Sequence, residues 1–170
     1  MNLDNGDPRP LLLVDVDGVL NPWLAIECPP GFREYNFFPG ERVLLSEDHG
    51  GLLRDLSNSF ELVWATAWEH RANRLICPVI ALPLLPVIEF PLSGTDFAFR
   101  KLPAVVESVG DRACAWIDDE HHPAHHEWAR ERGAPTLIVD IDPAVGLTAA
   151  VAAELQAWAT GLRSDGSDPN

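Results

Sequence analysis

Apolar runs alternate with stretches of helical periodicity along most of this chain. Leu11 to Val16, apolar but for Asp15, is short enough for a strand buried on both faces. Leu62 to Ala65 is a second such run, followed by helix-like sequence from Glu69 to Ile76. Pro86 to Phe90 reads as a short third strand bounded by prolines. Leu102 to Val109 reads as a helix, Ala113 to Ile117 as a strand, and Pro123 to Arg132 as a helix ending at Gly133. Thr136 to Val139 is a further strand, and Leu147 to Leu162 an amphipathic helix with Ala and Leu on one face. Strands alternating with helices predict an α/β fold: a three-layer, Rossmann-like parallel sheet of about five strands, with helices on both faces.

The stretch from Asn21 to Asn58 is longer than a simple crossover requires. The turn signal Pro39-Gly40, between an aromatic stretch and Val43-Leu44-Leu45, predicts a small β-hairpin flap over about 22–45. A helix follows from about Gly50 to Leu56. No repeat or internal linker interrupts the pattern. The expectation is a single domain over 9–163, with flexible polar termini at 1–8 and 164–170.

Composition narrows the picture. The 170 residues are 46% hydrophobic, enough for a full core. The absence of an 18-residue apolar run argues against a transmembrane helix or membrane partner, and the polar, acidic start lacks a signal peptide's pattern, so a cytoplasmic location is expected. Cys28, Cys77 and Cys114 have neither zinc spacing nor a disulfide framework. A net charge of −14 disfavours extended nucleic-acid binding. It leaves room for a small phosphorylated substrate, because a bound cation and a local basic residue reverse the sign inside a pocket.

Ligands of an open parallel sheet bind beyond the carboxyl ends of its strands. Asp15-Val16-Asp17-Gly18 follows the first strand and Thr66 the second; Lys101 precedes a helix, and Asp118-Asp119 follows a later strand. This set suits one phosphate and one hard cation. Asp15 is the natural carboxylate nucleophile, splitting phosphoester hydrolysis into two displacements through an aspartyl phosphate. Asp17 can protonate the leaving group and then deprotonate water. Gly18 permits a sharp turn. Asp15 with Asp118 or Asp119 supplies the oxygen ligands Mg²⁺ prefers. Thr66 can bond a phosphoryl oxygen, and Lys101, the one lysine among twelve basic residues, offsets the accumulated negative charge.

Asp15-Val16-Asp17-Gly18-Val19-Leu20-Asn21 after a hydrophobic strand, then Thr66, Lys101 and Trp116-Ile117-Asp118-Asp119 in that order, resembles the haloacid dehalogenase (HAD) superfamily over about residues 10–160. The resemblance implies a phosphatase with Asp15 as nucleophile and Asp17 as general acid/base. It also implies Thr66 and Lys101 on phosphate, and Mg²⁺ on Asp15, Asp118, Asp119 and the Asp17 backbone carbonyl. The flap region fits the family, and long cap insertions are absent, as in its small-cap or capless members. Asp142-Pro143-x-x-Gly146-Leu147-Thr148 is similar to a small group of uncharacterised bacterial HAD proteins. Some HAD domains of similar type are associated with RNA repair.

The expected partner is thus a small phosphorylated substrate or the phosphorylated end of a macromolecule. One alternative is a nucleic-acid end-processing phosphatase; another is a non-catalytic or signalling module binding metal or phosphate. A receiver-type signalling domain is disfavoured by order, because receivers place the acidic pair before the phosphorylated Asp and the Lys last. His121, His122, His125 and His126 include two i, i+4 pairs that can chelate Zn²⁺ or Ni²⁺ on a helix. The plainer reading is a solvated helix start. Trp23, Phe37 and Phe38 fall in the flap near the predicted pocket, where stacking on a base or sugar is open to them; Arg71 and Glu69-His70 are further candidates for its lining.

Overall fold

The structure is a computed structural model that describes residues 9–90 and 97–165. Of the termini expected at 1–8 and 164–170, residues 1–8 and 166–170 lie outside the described residues. Four parallel strands form the sheet in the order β4-β1-β5-β6: β1 (Leu11–Val14), β4 (Glu61–Trp64), β5 (Cys114–Asp118) and β6 (Thr136–Asp140). Two antiparallel strands, β2 (Phe32–Tyr35) and β3 (Val43–Ser46), make the hairpin, with Pro39-Gly40 in its connecting loop.

Helices flank the sheet, and the side-chain alternation of its strands shows how. Leu12, Val14, Leu62, Trp64, Ala115 and Ile117 pack with residues of α1 (Glu47–Leu56), α2 (Cys77–Ile80) and α5 (Ala149–Asp165). Leu11, Leu13, Val63, Cys114 and Trp116 face the other way, onto α3 (Phe97–Val109) and Trp128 of α4 (Pro123–Glu131). Each β1 side chain is completely enclosed, which is why that segment reads as an unbroken apolar run rather than an alternating one. α1 packs tightly on α2: a Cβ at Gly50 would lie 1.8 Å from the Ile80 carbonyl oxygen.

The fifth strand expected at Pro86–Phe90 is absent among the described residues. Val87 makes one isolated parallel bridge to Trp64, through Trp64 N–H to Pro86 O and Ile88 N–H to Trp64 O, both 2.9 Å. Pro86 has no N–H to extend the ladder, and Phe90 N–H turns instead to Glu69 Oε1 at 3.0 Å. The helix expected at 69–76 is also altered: Ala72–Ile76 forms a π-helical turn that passes into α2. Pro78, lacking an N–H, falls where regular helical bonding would need one. α3 begins earlier than expected, so Lys101 lies within it rather than ahead of it. α5 runs to Asp165, into the segment expected to be a tail.

Candidate functional site

The chain travels from β1 outward to β4 and then returns to β5 on the opposite side of β1. The carboxyl ends of β1 and β5 therefore flank the point where strand order reverses, the place where open α/β sheets form a crevice. Asp15 directly follows β1 and Asp118 ends β5. Lys101, only 4% exposed, reaches between them from α3. Its Nζ donates to Asp15 Oδ2 at 2.7 Å and to Asp118 Oδ2 at 2.6 Å. Trp116 Nε1 and Glu120 N–H also donate to Asp118, at 3.3 and 3.0 Å.

Asp119 completes the acidic group: Asp15, Asp118 and Asp119 each offer a carboxylate oxygen within 4.8 Å of the others'. Three carboxylates facing one ammonium leave an excess of negative charge in a largely buried space. Burial raises the Asp15 carboxyl to about 6, against the pull of Lys101, and it raises Asp118 and Asp119 as well. Burial alone would depress the Lys101 ammonium; the two carboxylates reverse this and hold it above the usual lysine range. A hard divalent cation fits such a donor set, because it needs carboxylate oxygens and supplies the missing positive charge.

The loop after β1 winds tightly on itself. Val16 O accepts from the N–H groups of Leu20 and Asn21, each at 2.8 Å, and Gly18 N–H bonds Asn21 O at 2.8 Å. Gly18 has φ +74°, and a Cβ there would lie 2.1 Å from Asp119 Cγ. Only glycine lets the loop and Asp119 share this space. The closing Asp142–Thr148 segment braces the same loop, with Leu147 N–H donating to Val19 O at 2.7 Å.

Both carboxylate oxygens of Asp17 are held. Asn21 Nδ2 donates to Oδ1 and Trp68 Nε1 to Oδ2, each at 2.8 Å. Asn21 also accepts Leu44 N–H at 2.9 Å, which connects Asp17 to flap strand β3. Thr66 is fully enclosed; its hydroxyl accepts Trp68 N–H at 3.3 Å and lies near enough to Asp15 to favour its carboxylate form. The structure thus gathers Asp15, Thr66, Lys101, Asp118 and Asp119 around one point, with Asp17 at the edge of an adjoining pocket of about 560 Å³. Trp23, Phe38, Trp68 and Arg71 line that pocket. Glu69 and His70 turn elsewhere, to Phe90 N–H and Glu89.

Sequence reading missed the roles of Asn21 and Trp68. Asn21 closes the first motif, and a local Asx signal within four residues could have marked it, but no spacing marks Trp68, which is a core residue as well.

Among the described residues Asp15, Asp118 and Asp119 are the group of three whose ligand atoms converge for a metal, and no three histidines do so. Nor are the histidines a simply solvated helix start. His121 and His125 set their rings edge-on to Trp116, with centroids 5.0 Å away. His121 also binds Asp140 Oδ1 through Nδ1 at 2.8 Å, and burial lowers its pKa to about 4.

The chain matches no family model, no curated protein and no solved structure. No helix of the described residues is long and apolar enough to cross a membrane.

Proposed function

We propose that the chain is a Mg²⁺-dependent phosphohydrolase of the HAD type, built on a Rossmann-like sheet and acting on a phosphomonoester through an aspartyl phosphate on Asp15. The observation that carries this reading is Lys101 Nζ bridging Asp15 and Asp118 at the strand-order reversal, with Asp119 converging on the same point.

In the first displacement an Asp15 carboxylate oxygen attacks phosphorus and the ester P–O bond breaks. The departing alcohol oxygen takes the proton of Asp17. In the second, Asp17 takes a proton from water, whose oxygen attacks phosphorus. The Asp15–phosphorus bond then breaks and both carboxyls return to their starting forms. The sum is ester plus water to alcohol plus inorganic phosphate. Asn21 and Trp68 aim Asp17 for both proton transfers. Lys101 stays protonated and offsets charge on Asp15 and the phosphoryl group. The Thr66 hydroxyl, beside Asp15, donates to a phosphoryl oxygen. Asp15, Asp118 and Asp119 would hold Mg²⁺, together with the Asp17 carbonyl that the resemblance implies. When bound, the ion supplies Lewis-acid neutralisation of phosphoryl charge.

The test is phosphate release from a panel of phosphomonoesters with Mg²⁺ and with chelator. Turnover is expected only with the ion, and Asp15→Asn should abolish it. Unchanged turnover in Asp15→Asn would sink the nucleophile assignment.

A further inference from the structure

The pocket beside Asp17 carries a statement about the leaving group, one that rests on the phosphohydrolase reading above. Trp23, Phe38 and Trp68 are among its lining, and both indoles are bonded to the site's own acids. Trp68 Nε1 is bonded to Asp17 Oδ2 at 2.8 Å and Trp23 Nε1 to Asp119 Oδ2 at 3.0 Å. Phe38 packs on Trp68 with centroids 5.4 Å apart. Arg71 lies 5.4 Å over the Phe38 ring, and Arg42 joins it in the pocket lining. Trp68 is buried and serves as backing, but Trp23 leaves 53% of its surface exposed.

An indole held by its N–H while about half of the residue stays exposed is a preset platform for stacking, because little side-chain freedom is lost when a ring docks on it. The pocket volume, about 560 Å³, falls within the range of about 300–1,000 Å³ typical of small-molecule sites. The net charge of −14 opposes a long polyanion. In the lining Arg42 and Arg71 are matched by Glu41 and Asp17, and Arg42 is paired with Glu34, so ring faces rather than net charge are what the pocket offers a ligand.

We propose that the substrate is a small phosphomonoester whose alcohol bears a flat aromatic ring, as in a nucleoside monophosphate, with the ring stacked on Trp23 and Phe38 and the phosphate at Asp15.

The test compares four primary alkyl phosphates with Mg²⁺: adenosine 5′-monophosphate, benzyl phosphate, ribose 5-phosphate and glycerol 3-phosphate. Their leaving alcohols are similar, so the ring is the main variable. The first two are expected to exceed the others in kcat/KM on the order of tenfold, mainly through KM, as stacking on one ring allows. Adenosine 5′-monophosphate ahead of benzyl phosphate identifies a nucleobase; the two being equal identifies any aryl group. Trp23→Ala should bring the ratio close to one. Trp23→Phe, which keeps the ring and loses the N–H, should preserve most of it. Equal kcat/KM for all four overturns the proposal, as does a ratio that survives both Trp23→Ala and Phe38→Ala. Calorimetric binding to Asp15→Asn protein with Mg²⁺ separates this inference from the reading beneath it. Preference for adenosine 5′-monophosphate over ribose 5-phosphate without turnover by the unaltered chain keeps the ring site and overturns the hydrolase. No preference in binding overturns the ring site.

Discussion

Trp68 Nε1 donates a 2.8 Å hydrogen bond to Asp17 Oδ2. The bond joins the loop after β1 to the turn after β4, so the proposed acid/base is oriented from a second strand end. With Asn21 on the other oxygen, the Asp17 carboxylate is held in one orientation, and Asn21's bond to Leu44 N–H ties that orientation to the flap. Proximity and orientation of this kind account for much of what a positioned proton carrier contributes.

Trp68→Phe should therefore lower kcat by about tenfold while moving KM little, because it removes the donor to Asp17 and keeps an aromatic ring in the same place. A merely structural role for the indole would instead lower the melting temperature and move KM together with kcat. Steady-state kinetics, with melting temperature as a folding control, decides. An unchanged kcat would show that Asn21 alone orients Asp17.

Gly18→Ala should weaken Mg²⁺ binding at least tenfold and lower stability. The added Cβ would meet Asp119 Cγ at 2.1 Å, Oδ2 at 2.3 Å and Cβ at 2.4 Å, and the left-handed φ of +74° costs a side-chain-bearing residue about 1–2 kcal/mol besides. Asp119→Gly removes all three contacted atoms. The double variant should then be more stable than the sum of the single changes predicts, a coupling that denaturation of the four proteins measures. Strict additivity would mean that the loop moves to avoid Asp119.

Local chemistry was legible in the chain and long-range bonding was not. The run Leu11–Val16 and the turn at Pro39-Gly40 each signal an element through their own residues, and strand β1 and the hairpin lie there. Asp15, Thr66, Lys101 and Asp118-Asp119 could be singled out because parallel topology sends strand ends to one edge whatever the loops do. The segment Pro86–Phe90 misled because its apolar content suits a strand, while the lost donor at Pro86 and the capture of Phe90 N–H by Glu69 are decided by hydrogen bonding. The indole bonds Trp68–Asp17 and Trp23–Asp119 join residues 51 and 96 positions apart. Neither periodicity nor motif spacing encodes such a pairing.

Lys101→Met should cost the metal-free protein about 3–5 kcal/mol, the usual penalty for removing one member of a buried ionic group. The penalty arises because Asp15 and Asp118, 6% and 0% exposed, would face each other with no cation between them. Mg²⁺ should recover part of the loss by replacing the missing charge, and so should a change from pH 7.5 to pH 5, which lets a carboxyl take up a proton. Denaturant unfolding with and without the ion, at both pH values, tests this. A variant as stable as the parent without Mg²⁺ would contradict the picture of an ammonium holding two buried carboxylates together.

Mg²⁺ binding should depend on pH in a direction set by Asp15. Burial, opposed by Lys101, lifts its carboxyl from 3.8 to about 6 in the metal-free fold. Between those values the folded chain keeps a proton that the unfolded chain has released. The stabilisation from this group is therefore full below pH 3.8 and lost as pH rises through about 6. The ion needs the carboxylate form, so it competes with that proton. Affinity should be flat well above pH 6 and fall about tenfold per pH unit below it for one displaced proton. Asp118 and Asp119, also raised by burial, would steepen the fall. Calorimetry in buffers of different ionisation enthalpy at pH 5, 6 and 7.5 counts the protons released on binding. Asp15→Asn should flatten the dependence that remains after its weaker binding is accounted for. Equal affinity at pH 5 and 7.5 in the unaltered chain would remove Asp15 from the ion's ligands, and with it the arrangement of nucleophile and cation at one carboxylate.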